Sequence, residues 1–158
     1  MSYRADINTI YSDLLALFRA NLATLNQNLT GTITNGTLQI VDGVPKAVGD
    51  SLHPIIFIHQ GSKTETSEAI GNRCRKKVVQ TILITATSKM FIKEGNTDNK
   101  DVRNLMANID ELIRNNPTFS TQVLDCNPSN TQLLYDDRFV YINTFETSLD
   151  CELDIRGI

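Results

Sequence analysis

The chain has 158 residues, of which 41% are hydrophobic, and this is enough for one domain with its own core. Its formal net charge of −3 argues against binding nucleic acid over a whole face, because such binding depends on neutralising many phosphates. The three cysteines are odd in number and widely spaced, so they predict no disulfide framework and indicate a reducing compartment. Charges scattered through the N-terminal segment argue against a signal peptide or a membrane span.

The first third of the chain predicts a helix over residues 6–26 and a small hairpin region over residues 30–48. After Asp6, which can serve as the N-cap, apolar residues recur three or four positions apart. These residues are Ile7, Ile10, Tyr11, Leu14, Leu15, Phe18, Leu22 and Leu25. Asn35-Gly36 is a two-residue hairpin signal, and Pro45 limits pairing on one side, so we expect short or edge strands here.

The middle of the chain predicts two central strands, over residues 54–60 and 77–88. Both segments are continuous runs rich in β-branched residues, which is typical of strands covered on both faces. The intervening residues 61–77 are polar and too many for a tight turn. They predict a long charged loop or a protruding hairpin.

The rest of the chain predicts one helix and three strands. Asp98 or Asn99 can cap a helix over residues 99–115, and Asn116-Pro117 ends it. Alternating residues predict strands over 120–126, 131–147 and 148–156, the last with one wet, acidic face. The acidic residues are Asp150, Glu152 and Asp154. The expected fold is α+β, a single domain over residues 1–158 with a mostly antiparallel sheet packed against two helices.

No motif for a phosphate cradle, a dinucleotide site or a nucleophile elbow is present. His53 and His59 share a strand face but have only Cys74 as a nearby third ligand, so they do not predict a metal site. Cys74 lies between Arg73 and Arg75. Basic neighbours of this kind would make a thiol reactive, but they are also common on solvent-exposed loops. The acidic strand face would suit a hard cation, although such a row is usually the solvated side of an outer strand. We therefore predict no catalytic, cofactor-binding or metal-binding residues, with an enzyme lacking a familiar motif as the minority alternative.

The charged residues of the segment 61–77 are the sharpest surface feature. They predict either a docking patch for a partner or a solvated segment that protects a sheet edge from aggregation. The candidate interface residues are Lys63, Glu65, Glu68, Arg73, Arg75, Lys76 and Lys77.

The order of these elements resembles the tail terminator and the tail-completion (neck) proteins of long-tailed bacteriophages. The strand VVQTILITATS leads into the helix DVRNLMANIDELIRN, and alternating strands end in LDIRGI. Within that helix, Leu105, Ile109 and Ile113 match the family's apolar spacing. The resemblance extends from Ile7 to Gly157 but departs from the family over residues 26–48, where extra hairpin signals occur.

The resemblance implies a non-enzymatic virion-assembly protein without a cofactor. Such a protein forms a homohexameric ring that caps the tail tube, stops its polymerisation and joins the tail to the head connector. Its partners would be further copies of itself, the tail tube protein and the neck or connector protein, with DNA only as passing cargo and no membrane. It would reside in the virion, at the tail end or neck, after assembly in the host cytoplasm. The alternatives are a neck or head-completion protein of the same particle, and a small non-viral ligand- or peptide-binding module.

Overall fold

The computed structural model describes residues 7–28, 39–43, 55–70, 73–89, 91–93, 96–98, 100–134 and 142–153. The helices are α1 (Ile7–Ala20), α2 (Leu22–Leu25) and α3 (Lys100–Asn115). The strands are β1 (Gln39–Asp42), β2 (Ile55–Ile70), β3 (Arg73–Lys89), β4 (Phe91–Lys93), β5 (Asn96–Asp98), β6 (Val123–Leu134) and β7 (Ile142–Leu153).

Five of the strands form one sheet in the order β1-β2-β3-β7-β6, and β4 pairs with β5 separately. The β1–β2 pair is parallel, whereas the other three pairs of the large sheet are antiparallel. The predicted α+β class with a mostly antiparallel sheet is therefore confirmed.

The core lies between one face of this sheet and the apolar stripes of the helices. Ile10, Leu14 and Phe18 repeat at helical spacing on α1 and are fully buried, as are Leu105 and Ile109 on α3. They pack in one cluster with the inward-facing residues of β2, β3 and β7. No described helix is long and apolar enough to cross a membrane.

The single helix predicted over residues 6–26 is divided at Asn21. The side chain of Asn21 donates a hydrogen bond to the carbonyl oxygen of Leu17 at 2.8 Å, and its own backbone lies outside helical geometry, with φ −119°. An asparagine that bonds to a nearby carbonyl competes with the helical ladder, which explains the break. The expected cap Asp6 lies outside the described residues.

The charged segment 61–77 is a protruding hairpin and not a loop. β2 continues to Ile70 and β3 begins at Arg73, so the strands predicted over 54–60 and 77–88 were too short. Alternating Lys, Thr, Glu and Ser lack the apolar positions that mark a half-buried strand, but residues 63–67, whose side chains are all exposed, do not need them.

The predicted strand breaks near residues 126–131 and 147–148 are also wrong. β6 runs unbroken through Pro128, and β7 runs from Ile142 to Leu153. Proline is tolerated because β6 is an edge strand and its register shifts between Pro128 and Asn130. Asp98 ends β5 instead of capping α3, while Asn99 and the hairpin signal Asn35-Gly36 lie outside the described residues.

Candidate interaction surface

The β2–β3 hairpin extends past the rest of the sheet. β3 pairs with β7 only from Val79 to Lys89, whereas it pairs with β2 as far as Arg73 opposite Ile70. In the part of the chain that the structure describes, residues 63–70 and 73–78 therefore form a two-stranded extension, called here the arm. At about 3.3 Å per residue, the arm reaches roughly 16 Å past Val78.

A β-bulge marks the base of the arm. Gln60 lies opposite Ile82 and Lys63 opposite Gln80, so β2 has one extra residue here. A Cβ atom at Gly61 would lie 2.7 Å from the backbone oxygen of Thr81, so only glycine allows the two strands to approach this closely. The bulge thus requires glycine where the arm begins.

The buried side chain of Gln80 holds this bulge in place. Its Nε2 donates hydrogen bonds to the carbonyl oxygens of Ser62 at 3.3 Å and of Thr81 at 3.0 Å. Gln80 is fully buried, and buried polar groups that bond to the backbone fix local geometry because leaving them unpaired is costly. The direction in which the arm leaves the sheet is therefore set by packed groups.

The two strands of the arm carry all seven predicted interface residues. Lys63, Glu65 and Glu68 lie on β2, and Arg73, Arg75, Lys76 and Lys77 lie on β3. The antiparallel register places Glu68 opposite Arg75, Ser67 opposite Lys76 and Thr66 opposite Lys77. Residues that are up to 14 positions apart in the sequence are thus brought onto one projecting element.

The described side chains on the outer strand of the arm are exposed to solvent. Residues 63–67 of β2 are all exposed, and the only described ion pair among them joins Lys63 and Glu65 at 3.7 Å. Both of these side chains are about half exposed, so their pairing contributes little to folding. The charges of Lys63 and Glu65 therefore remain accessible to a partner.

Lys77 connects the arm to the sheet face that lies opposite the helices. Its Nζ lies 3.9 Å from a carboxylate oxygen of Glu152, the residue that faces Val79 from β7. On the same face Thr81 donates a hydrogen bond from Oγ1 to Oδ1 of Asp150 at 2.8 Å. The predicted acidic side of the last strand therefore includes Asp150 and Glu152, while Asp154 lies outside the described residues.

Two further carboxylates of this face are not among the residues predicted for it. Asp125 of β6 lies opposite Glu152, and Glu146 of β7 accepts a hydrogen bond from Gln132 at 3.3 Å. We call Asp125, Glu146, Asp150 and Glu152 the acidic face. Sequence alternation missed Asp125 because register shifts on either side of it break the period of two.

His59 lies beside the acidic face. Its Nε2 is 2.9 Å from Oγ1 of Thr85. Burial lowers the pKa of His59 from its ordinary value, and the nearby charge of Glu146 opposes this effect. His53 lies outside the described residues, and no group of three or more His, Cys, Asp or Glu within the described residues could hold a metal ion.

A cavity of about 380 Å³ lies between α1 and the outer edge of β2. Its lining includes Ile7, Tyr11 and Leu15 of the helix together with Asp42 and Gln60. Burial, which is the main cause, raises the pKa of Tyr11 to about 12. The hydroxyl of Tyr11 is sealed from solvent and has no hydrogen-bond partner among the described residues, so it adds no polar contact for a ligand.

Comparison with known proteins gives no family model and no curated protein that matches the chain. Among solved structures, one similar chain belongs to a virion of a native gene transfer agent particle, with 10% identity, a TM-score of 0.48 and 92% of each chain covered. Another is the PVC sheath/tube terminator of an extracellular contractile injection system in the extended state, with 14% identity and a TM-score of 0.44. That alignment covers 96% of this chain but 58% of the terminator chain.

Proposed function

We propose that this chain is a structural protein of a tailed, phage-like particle, a tail terminator that forms a homohexameric ring. The ring caps the tail tube, stops its polymerisation and joins the tail to the neck or connector protein. The arm is the observation that carries this proposal, together with the resemblance of the element order to tail terminators. Such a protein acts through its surfaces and performs no catalysis.

The arm favours a contact with another molecule because it buries little by itself. An isolated two-stranded ribbon is marginal in water, and the described side chains of its outer strand are exposed. β1 pairs with β2 only from Ile55 to Ile58, so in the described chain the edge of β2 from His59 onward has no neighbouring strand. An open edge of this kind is suited to pairing with a strand of a partner.

The charges favour a head-to-tail contact between copies of the chain. The seven candidate residues of the arm comprise five basic and two acidic residues, whereas the acidic face presents four carboxylates. A basic arm that docks on the acidic face of the next subunit would use two different patches on each copy. Contacts of this kind form a ring when the rotation between subunits closes.

The first experiment measures the mass of the purified protein by light scattering and images the same sample by negative-stain microscopy. We expect particles with a central hole and a mass of about 106 kDa, six times the chain mass of 17.6 kDa. A monomer that isolated tail tubes do not convert into rings at their ends would contradict the proposal. A monomer that binds only the connector would favour the neck protein, and one that binds a small ligand would favour the binding module.

The second experiment tests the arm with a charge-reversal variant, Arg73→Glu, Arg75→Glu, Lys76→Glu and Lys77→Glu. We expect a folded protein that neither forms rings nor joins tails to heads. The control is Arg103→Glu with Arg114→Glu, which reverses exposed charges on α3 and should leave assembly intact. Unchanged tail joining by the arm variant would remove the arm from the proposal.

A further inference from the structure

Cys126 and Cys151 face each other in the core across the β6–β7 pair. They are directly opposite in the antiparallel register, and each is no more than 1% exposed. Their sulfur atoms lie 2.7 Å apart. This is closer than the ~3.5 to 4.0 Å of ordinary non-bonded packing and not far from the bond length of a disulfide, about 2.05 Å.

We propose that Cys126 and Cys151 are a redox site that oxidises to a cross-strand disulfide. Directly opposed residues in antiparallel strands have Cα atoms about 4.5–5.5 Å apart. Disulfides span Cα separations of about 4.4–6.8 Å, so the paired strands already have a spacing that a bridge accepts. The pair is not evident from the sequence, because the number of cysteines is odd and these two lie 25 positions apart.

The position of the pair gives the bridge a structural effect. β6 is an edge strand of the large sheet, and its register with β7 shifts between Val123 and Asp125 and again between Pro128 and Asn130. Cys126 therefore lies in a short regular stretch between two irregular ones. A covalent link at this point would hold the edge strand to β7 where its hydrogen-bond ladder is interrupted on both sides.

The oxidant is a small-molecule disulfide such as oxidised glutathione. One protein thiol loses its proton, and its thiolate attacks a glutathione sulfur, which releases one glutathione thiolate and leaves a mixed disulfide. The thiolate of the second cysteine then attacks the protein sulfur of that mixed disulfide and expels the second glutathione. In sum, two protein thiols lose two electrons and two protons, and one glutathione disulfide becomes two glutathione thiols.

The reaction is slow in the closed sheet. The hydrogen bond with Cys151, followed by burial, raises the pKa of the Cys126 thiol. Neither sulfur is accessible, so glutathione reaches the pair only when the edge strand β6 opens locally. Oxidation therefore follows the local opening of β6 and does not require the whole chain to unfold.

The test uses the chain with Cys74→Ser, so that only the two paired thiols remain. The protein is incubated under native conditions with excess oxidised glutathione. It is then unfolded and alkylated with iodoacetamide, and its mass is measured by mass spectrometry. We expect no alkylation and a mass lower by two hydrogen atoms, together with an upward shift of the urea midpoint that dithiothreitol reverses. A Cys74→Ser, Cys126→Ala control, which retains one thiol, should show no internal bridge.

Two results would overturn the proposal. One is a protein whose two thiols are both alkylated after native incubation, although the same chain incubated in urea forms the bridge. The other is a native product that remains as a mixed disulfide with glutathione, because it would mean that the second thiol does not reach the first.

Discussion

Asn108 donates a hydrogen bond from Nδ2 to the carbonyl oxygen of Leu25 at 3.0 Å, which ties α3 to the end of α2 across 83 residues of sequence. The same nitrogen also lies 2.7 Å from the carbonyl oxygen of Gln27. Carbonyl groups at a helix end have no partner within the helix, so Asn108 pairs the carbonyl group of Leu25 at a buried position and that of Gln27 at a partly buried one.

Asn108→Ala should therefore destabilise the fold by roughly 1 to 3 kcal/mol, because it leaves the buried carbonyl oxygen of Leu25 without this donor. The free energy of unfolding from urea titration measures the effect. Asn104→Ala is the matched control on the same helix, since Asn104 bonds to the carbonyl oxygen of Asn28 at an exposed position. Asn104→Ala should lower the free energy of unfolding by less than about 1 kcal/mol. Equal decreases in the two variants would show that burial does not determine the size of the effect.

Gly61→Ala should destabilise the base of the arm by about 1 to 3 kcal/mol, because the added Cβ would lie too close to the backbone of β3. The nearest atoms are the backbone oxygen of Thr81 at 2.7 Å and its Cγ2 at 3.1 Å, and a backbone atom in a paired strand cannot move cheaply. Urea titration measures the loss.

Ser62→Ala is the neighbouring control for this change. Ser62 is exposed, and its backbone carbonyl, which accepts the bond from Gln80, is retained in the variant. Its stability should stay within about 0.5 kcal/mol of the parent. If Gly61→Ala were as stable as Ser62→Ala, the bulge would not require glycine.

The elements that the sequence predicts well are those with one buried face. The spacing of Leu105, Ile109 and Ile113 follows the helical period because α3 packs on the sheet along a single stripe. β3 is equally recognisable in its central half, where every second residue from Val78 to Ala86 is buried. In both elements burial produces the periodic signal.

For residues 61–77 the sequence leaves a long loop and a protruding hairpin both open, because residues 63–67 are all exposed and produce no periodic signal of burial. The sequence signal for a hairpin is the dipeptide Gly71-Asn72, a pair typical of two-residue hairpin connections. Ile70 and Arg73, which flank it in the sequence, lie opposite each other in the register. The Cys126–Cys151 pair and the position of Asp125 opposite Glu152 depend on register between distant strands. Register is set by tertiary pairing, so one sequence without known pairs does not reveal them.

The folded state should lose stability as the pH falls from about 7.5 to about 5.5, around the ordinary histidine pKa of about 6.5, in part through His59. Its folded-state pKa is lowered by burial, so the unfolded chain binds a proton more readily than the folded one. The contribution of His59 to stability is thus fully present above the pKa of histidine in the unfolded chain. It is lost as the pH falls through the lower pKa of His59 in the folded chain.

His59→Gln should flatten this part of the stability profile, as measured by urea midpoints at a series of pH values. Glu146→Gln should steepen it, because the charge of Glu146 raises the pKa of His59 and so opposes the effect of burial. An unchanged slope in His59→Gln would assign the pH dependence to other groups.

Lys77→Glu should disrupt ring assembly while leaving the fold intact. The ion pair between Lys77 and Glu152 spans 3.9 Å, and both side chains are partly exposed, so its loss should change stability by no more than about 1 kcal/mol. Reversing the charge places a carboxylate where the proposed contact requires a cation, so light scattering should shift from the ring mass toward the monomer.

The control for Lys77→Glu makes the same charge change away from the arm. Arg114→Glu removes the exposed pair with Asp110 on α3 and should leave the ring mass unchanged. A ring mass that Lys77→Glu leaves unchanged would remove Lys77 from the proposed contact.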